Sequence, residues 1–448
     1  MDANVNVLDI INDTHLNLAK LHELFAQMNT VDIAEVFESL SKEKVIQIFR
    51  ILPKSIAADV FSYIDSDNQQ IIVETLTDTE VRKIIDELFI DDTVDLIEEM
   101  PANVVRRILQ NVDETKRQLI NQLLQYPDDS AGGIMTTEYV DLREDATVRE
   151  AFDYIRKTGV DKETIYTCYV IRRDRILVGV ITAKTLMLSS PLQRIGDIMD
   201  KNIVFAHTTD DQEMIAGLFK KYELLSLPVV DKEHRLVGIV TVDDAVEIIE
   251  EEATEDFEIM AALNPSEEPY LKTSILCHAR NRIVWLMVLM LSATITGLIM
   301  KHFEDALAVL PVLMFFVPMI MDTGGNAGAQ TSTLIIRGMA VGEIQVKDAL
   351  KILWKEIRVA VLCGLGLGLV NFIRVYIMNG RDALLSLTVT ISLIVTVMLS
   401  KTVGCLLPII AKKIKIDPAI MAAPIITSIV DAAALFAYFA IAKAILRI

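Results

Sequence analysis

Residues 271–448 carry five apolar stretches, near 283–301, 307–336, 358–378, 383–411 and 419–446. Each is long enough for a helix across about 30 Å of hydrocarbon, which takes roughly 20 residues. Hydrocarbon offers no partner to a free backbone N–H or C=O, so such stretches fold as helices. A five-helix α-helical transmembrane domain is therefore expected here. Pro311, Pro318 and the cluster Gly324, Gly325, Gly328 are expected to break the second stretch, as in discontinuous helices that line a cavity. Arg337, Lys347, Lys351, Lys355 and Arg358 lie between stretches two and three, Lys412, Lys413 and Lys415 between four and five, and Lys272, Arg280 and Arg282 before the first. The positive-inside rule puts these loops and the amino terminus in the cytoplasm, and five spans put the carboxyl terminus outside.

Two aspartates interrupt this apolar half. Asp322 precedes Thr323-Gly324-Gly325-Asn326-Ala327-Gly328-Ala329-Gln330, and Asp431 follows Pro424-Ile425-Ile426-Thr427-Ser428-Ile429-Val430. A carboxylate at mid-bilayer costs about 2.5–3.5 kcal/mol, so it is there for an ion or a partner. The neighbouring stretches offer no obvious lysine or arginine, which leaves a transported cation as the counter-charge. Asp322 and Asn326 share a helical face, and the glycines suit close helix packing. Asp322-Thr323-Gly324 also spells the aspartic-protease tripeptide, but Asp431 lacks the matching context for a dyad. Asp417-Pro418 stands at the start of the fifth stretch, either as a cap or as a cation-attracting acid at the inner mouth.

The soluble half is acidic. Residues 1–270 hold 26 lysines and arginines against 53 aspartates and glutamates, whereas residues 271–448 hold 17 against 9. That balance excludes nucleic acid as a partner and favours cations. Met1–Ile11, with Asp2 and Asp9 and no basic run, does not read as a secretory leader. Cys168, Cys277, Cys363 and Cys405 are scattered, without metal spacing or a disulfide framework.

Two segments of this half repeat. Leu177-Val178-Gly179-Val180-Ile181-Thr182 returns as Leu236-Val237-Gly238-Ile239-Val240-Thr241, and Gly133-Ile134-Met135-Thr136 is echoed by Asp197-Ile198-Met199-Asp200. Each unit reads strand, helix, strand, turn, strand, helix, with Asp174-Arg175 and Glu233-His234 at the turns. The tandem resembles a pair of CBS domains, which implies an α/β fold and an adenine nucleotide such as ATP in the cleft between repeats. Thr241 followed by Asp244 fits the ribose-contacting pattern; Thr182 followed by Thr185 does not. Residues 1–130 have apolar residues at helical spacing and read as an all-α helical-repeat domain, with Leu52-Pro53 and Met100-Pro101 separating helices. Asp91, Asp92, Asp95, Glu98 and Glu99 form an acidic edge.

The stretch from Asp243 to Glu258 is denser still in acid and reads as a helix. Like charges at helical spacing repel, and bound divalent cations relieve the repulsion. Carboxylate oxygens without histidine or cysteine select hard ions such as Mg²⁺, Ca²⁺ or Mn²⁺.

An acidic helical domain (1–130), two CBS repeats (131–195 and 196–246), a connecting helix (247–270) and a five-span domain (271–448) together resemble the MgtE family of magnesium channels or transporters. The resemblance rests on Gly324–Gln330, Thr331–Gly338, Asp417-Pro418-Ala419 and Pro424…Asp431. It implies a multi-pass homodimer in the cell membrane, with a Mg²⁺ pore on the two-fold axis faced by Asp431. The connecting helix is implied to plug the pore when cytosolic Mg²⁺ binds among Asp91, Asp95, Asp244, Glu247, Glu252, Glu255 and Asp256, with Asp417 meeting the plug. Asp322 ranks below Asp431, and Ala423 departs from the Asn or Gly found in some relatives. Transport of Mn²⁺ or Co²⁺, or a nucleotide-responsive sensor without flux, are the other readings.

Overall fold

The computed structural model describes residues 11, 18–266 and 270–447. Apart from Ile11, the Met1–Ile11 segment lies outside the described residues, as do residues 267–269 of the connecting segment. The chain divides into two compact units, residues 1–249 and 250–448.

The first unit opens with short helices of seven to ten residues, from Leu18–Phe25 to Glu114–Leu123. They keep a period of twelve. Asn29 and Ser41 are N-caps one period apart, and Asp65, Thr77, Phe89, Pro101 and Asp113 continue the series. Most caps are chemically apt. Asp65 accepts from the Asn68 amide at 3.2 Å, Thr77 and Glu80 form a capping box, and Asp113 accepts from the amides of Thr115 and Lys116. Each helix buries one apolar stripe, and Phe37, Phe49 and Phe61 meet edge to face with centroids 6.3 and 6.0 Å apart. Pro53 and Pro101 lie between helices, as expected.

Two three-stranded sheets follow. In the first, Asp141–Arg143 pairs parallel with Thr167–Ile171, which pairs antiparallel with Leu177–Thr182. In the second, Ala206–His207, Ser226–Val230 and Leu236–Thr241 repeat that order. The hairpin turns place Arg175 and His234 in the left-handed region, at φ 66° and 59°. The repeats exchange padding. Thr136 exchanges backbone hydrogen bonds with Ile239 of the second repeat, and Asp200 with Val180 of the first. This explains the sequence echo: Met135 lies over Gly238 and Met199 over Gly179, where a Cβ would collide with the methionine sulfur. The apolar core runs from the helical region into the second sheet, through Phe219, Val229 and Val240. The Val242–Met260 helix starts directly after the last strand, so the boundary drawn at 246/247 falls inside one continuous helix.

The second unit is helical. Among the described residues, four helices are long and apolar enough to cross a membrane: Ile275–His302, Val346–Met378, Ala383–Lys413 and Ala423–Leu446. The expected second span differs. The chain forms a short helix, Glu304–Val309, a 3-10 turn, Pro311–Phe316, and then the helix Val317–Ala340 of 24 residues. That helix is long enough to span, but Asp322, Asn326 and Gln330 make it too polar for the apolar group. The break falls at Pro311 alone. Pro318 occupies the first turn, where its missing N–H costs nothing, and the glycines stay inside an unbroken helix. Asp417 is a cap, of a 3-10 turn and not of the long helix: its carboxylate accepts from the Ala419 amide at 2.8 Å and caps Pro418–Met421, and the helix Ala423–Leu446 follows.

Candidate metal centre

In the soluble unit, the twelve-residue series of caps fails at Phe89, whose side chain has no acceptor. Glu138, from the segment leading into the first sheet, fills the role by accepting the Ile90 amide at 2.9 Å. The Glu138 carbonyl in turn accepts the Glu163 amide at 2.8 Å. These two bonds bring two glutamates of the α/β region to Asp91, in the first turn of the Ile90–Glu99 helix. One carboxylate oxygen from each of Asp91, Glu138 and Glu163 lies within 4.8 Å of the others.

The cluster is under electrostatic stress. Asp91 Oδ1 and Glu163 Oε2 are buried and accept no hydrogen bond. Desolvation, followed by the charges of Asp244, Asp92 and Glu163, holds the Asp91 carboxyl well above the ordinary range. Desolvation and the charges of Asp243, Asp244, Asp92 and Glu138 push Glu163 up to about 8. Asp92 rises to about 6, first by desolvation and then by Asp244, Glu138, Asp243 and Asp59. Asp95 rises to about 7 by desolvation and the charges of Glu98, Asp92, Asp244 and Glu247. Asp244 is raised chiefly by desolvation, although the Thr241 hydroxyl donates to its Oδ2 at 2.6 Å. Lys116 feels Glu138 and Asp91, but its ammonium is held by the carbonyls of Ile85 and Leu88 at 2.6 and 2.7 Å. Three carboxylates gathered from separate segments, two of them with a buried oxygen that accepts no hydrogen bond, suit a hard divalent cation, which supplies the missing charge and ligation together.

The expected acids thus divide. Asp91, Asp95, Asp244 and Glu247 share one electrostatic neighbourhood with Asp92. Glu138 and Glu163 were absent from the sequence reading. Glu138 had one signal, a helix start at Phe89-Ile90 with no local cap; Glu163, in a charged loop, had none. Glu252, Glu255 and Asp256 lie on the part of the Val242–Met260 helix that belongs to the second unit, whose Ile259 and Met260 pack near Ile336, Ala419 and Ala422.

In the membrane unit, Asp322, Asn326 and Gln330 are exposed on one face of Val317–Ala340, while Gly324, Gly325 and Gly328 are buried on another. The glycines allow a close crossing. A Cβ on Gly324 would sit 2.9 Å from Thr396 and 3.0 Å from Val430, and one on Gly328 2.8 Å from Ile426. The half-buried Asp431 follows Val430 directly, with Asp322 as its charged neighbour. The fourth span does carry a basic residue, Lys401, whose hydrogen-bond partner is a threonine and neither of the two aspartates. It is 7% exposed in the fourth span and donates to Thr331 Oγ1 at 3.1 Å; the Thr331 hydroxyl donates to Glu356 Oε2 at 3.1 Å. Thr331 is on the helix face away from Asp322, so Lys401 ties three spans together at the back of the polar stripe.

Comparison with known proteins places these features. A family described as divalent cation transporter matches residues 317–441, the MgtE intracellular N domain matches 28–129, and CBS domains match 131–190 and 195–251. The magnesium transporter MgtE of Thermus thermophilus is 36% identical over 362 residues, 80% of each chain. That of Bacillus subtilis is 32% identical over 389 residues, 87% of this chain and 86% of the relative. The crystal structure of the cytosolic domain of the Mg²⁺ channel MgtE in complex with ATP is 34% identical, with a TM-score of 0.51, covering 55% of this chain and 99% of that one. A second, the soluble part of a magnesium transporter, is 29% identical with a TM-score of 0.52, covering 56% and 98%. A helical domain, a CBS pair and a set of apolar helices, in this order and at this identity, make the chain a member of the MgtE family, a family of transporters and not of enzymes.

Proposed function

We propose that this chain carries Mg²⁺ across the cell membrane and that cytosolic Mg²⁺ shuts it. Transport is supported by its relatives and by two acids, Asp322 and Asp431, at a glycine-lined helix crossing. The observation that carries the regulatory reading is the Asp91, Glu138 and Glu163 cluster, in which Asp91 Oδ1 and Glu163 Oε2 are buried and accept no hydrogen bond.

In this reading the protein is a homodimer with the pore on its two-fold axis, the amino terminus in the cytoplasm and the carboxyl terminus outside. Asp431 faces the permeating ion, and the exposed Asp322, Asn326 and Gln330 extend the polar wall. Mg²⁺ dehydrates reluctantly, so these oxygens read a largely hydrated ion. At low internal Mg²⁺ the raised acids of the soluble unit repel, and the open state is favoured. At high internal Mg²⁺, ions held among Asp91, Asp95, Glu138, Glu163, Asp244 and Glu247, and on the connecting helix by Glu252, Glu255 and Asp256, favour the closed state, with Asp417 at the inner mouth. The ion acts by binding one state more tightly than the other. The five-part division at residues 130, 195, 246 and 270 belongs to the same reading. Thr241 and Asp244 are the ribose-side contacts for ATP at the second CBS repeat. Because Asp244 already accepts from Thr241, nucleotide and ion compete for its remaining capacity.

Flux into liposomes, run with Mg²⁺, Mn²⁺ and Co²⁺ in turn, tests both parts. Mg²⁺ uptake that stops when the soluble side is loaded with millimolar-range Mg²⁺ is the expected result. Asp91→Asn with Glu163→Gln is expected to keep uptake and lose the shut-off. Absence of flux for all three ions would leave a sensor without transport.

A further inference from the structure

The helix of the third span is longer than a membrane requires. Val346–Met378 counts 33 residues, and at 1.5 Å per residue it reaches about 50 Å against about 30 Å of hydrocarbon. Its apolar stretch starts after Arg358, so the preceding three turns lie at the membrane–water boundary. One face of those turns belongs to the protein: Val346, Ala349, Ile352 and Leu353 pack on Ile335, Cys405 and Ile409. The opposite face is exposed and carries Lys347, Leu350, Lys351, Trp354, Lys355 and Arg358 at helical spacing. Leu350 is 81% and Trp354 62% exposed, and the Arg358 guanidinium lies over the Trp354 ring, 5.9 Å from its centroid. Asp348 pairs with Lys351 at 3.4 Å, which leaves the face strongly basic.

We propose that this face is a docking surface for anionic phospholipid. Leucine and tryptophan side chains enter the acyl boundary while the interleaved lysine and arginine heads meet the headgroup phosphates, the division of labour of an interfacial amphipathic helix. The basic charge selects against zwitterionic lipid. A second copy of this face would set like charges against each other, so lipid is the better complement. The inference is independent of which ion the protein carries.

The chain has two tryptophans, Trp285 and Trp354, so Trp285→Phe isolates the emission of Trp354. The full-length variant is reconstituted in phosphatidylcholine vesicles containing either brominated phosphatidylglycerol or brominated phosphatidylcholine. Each basic residue near an anionic surface favours it by about fivefold. Quenching of Trp354 by the brominated phosphatidylglycerol is therefore expected to exceed that by brominated phosphatidylcholine by about fivefold or more at equal mole fraction. The excess is expected to fall with salt. Replacing Lys347, Lys351 and Lys355 by glutamine is expected to return the ratio to about one while quenching by brominated phosphatidylcholine persists. If Trp285→Phe fails to fold, the difference between the native chain and Trp354→Phe gives the same signal. Equal quenching by the two lipids at low salt overturns the proposal. So does the absence of quenching by either, which would mean that protein covers the face.

Discussion

A carboxylate inside a membrane helix has to be compensated, and Asp431 shows how this can be read residue by residue. Its sequence setting, an acid after Ile429-Val430 and before three alanines, raises the expectation of an ion, and its neighbour Val430 lies at the crossing formed by Gly324 and Gly328. Structural and functional roles predict opposite outcomes for Asp431→Ala. A carboxylate that serves only packing would change the melting temperature when removed. A carboxylate that meets the permeating ion would leave folding intact and abolish transport, because the ion loses its counter-charge in a low-dielectric wall. We expect Mg²⁺ uptake into liposomes to fall at least about tenfold, roughly 1.4 kcal/mol on the barrier, with an unchanged melting temperature. Native uptake by Asp431→Ala would remove this residue from the pore. Other residues were not legible in this way. Lys401 lies between Ser400 and Thr402 in a span rich in hydroxyls, and only the fold shows that it donates to Thr331, whose hydroxyl donates in turn to Glu356. Glu138 and Glu163 meet Asp91 through two bonds that no local pattern encodes, from the Ile90 amide to the Glu138 carboxylate and from the Glu163 amide to the Glu138 carbonyl.

At the scale of elements, periodicity was readable where the repeated residue keeps its chemistry. The two CBS repeats share Leu-Val-Gly at the same strand position, and the glycine is kept because a methionine lies over it in both. The twelve-residue helical repeat was harder to see, because its caps change type from Asn29 and Ser41 through Asp65 and Thr77 to Phe89 and Pro101. Proline and glycine in the second span misled for a related reason. Their effect depends on position within the helix, and at a first turn or a tight crossing neither breaks it. The connecting helix, Val242–Met260, was legible from its charge, with Asp243 and Asp244 in its first turn and no basic residue in its last. Anions at the start of a helix are favoured by its dipole, whereas Glu255 and Asp256 toward its end are not. A bound cation would offset that penalty. Neutralising Glu252, Glu255 and Asp256 together, to Gln, Gln and Asn, should therefore weaken the ion-bound closed state and leave permeation intact. In inside-out patches the triple variant is expected to stay open at internal Mg²⁺ that shuts the native protein. Closure at the native concentration would show the helix to be a solvated linker.

For the molecule as a whole, the raised acids of the soluble unit tie its stability to both pH and Mg²⁺, and the sign follows from the shifts. Asp92 at about 6, Asp95 at about 7 and Glu163 at about 8, with Asp91 and Asp244 also raised, hold protons in the folded state at a pH where the unfolded chain has released them. Without metal, stability must therefore fall as pH rises from the ordinary carboxylate range, near 4, through about 8. Groups with lowered values do not oppose this above pH 5. Glu80, Asp113 and Glu150 contribute stability that is already in place above the ordinary carboxylate range, and lowered Lys116 acts only toward the alkaline end. Mg²⁺ binds the deprotonated acids, so it competes with protons and stabilises most where the metal-free form is weakest. For residues 1–260, a portion comparable to the solved cytosolic domain of the relative, the metal-free melting temperature is expected to drop by several degrees between pH 5 and pH 8.5, at about 2–4 °C per kcal/mol for a unit of this size. Millimolar-range Mg²⁺ should restore the loss at pH 8.5 and change little at pH 5. The Asp91→Asn, Glu163→Gln pair should flatten both dependences, because it removes the two acids whose oxygens lack partners. Equal stabilisation by Mg²⁺ at both pH values would place the ion elsewhere, since binding at these carboxylates cannot be independent of their protons.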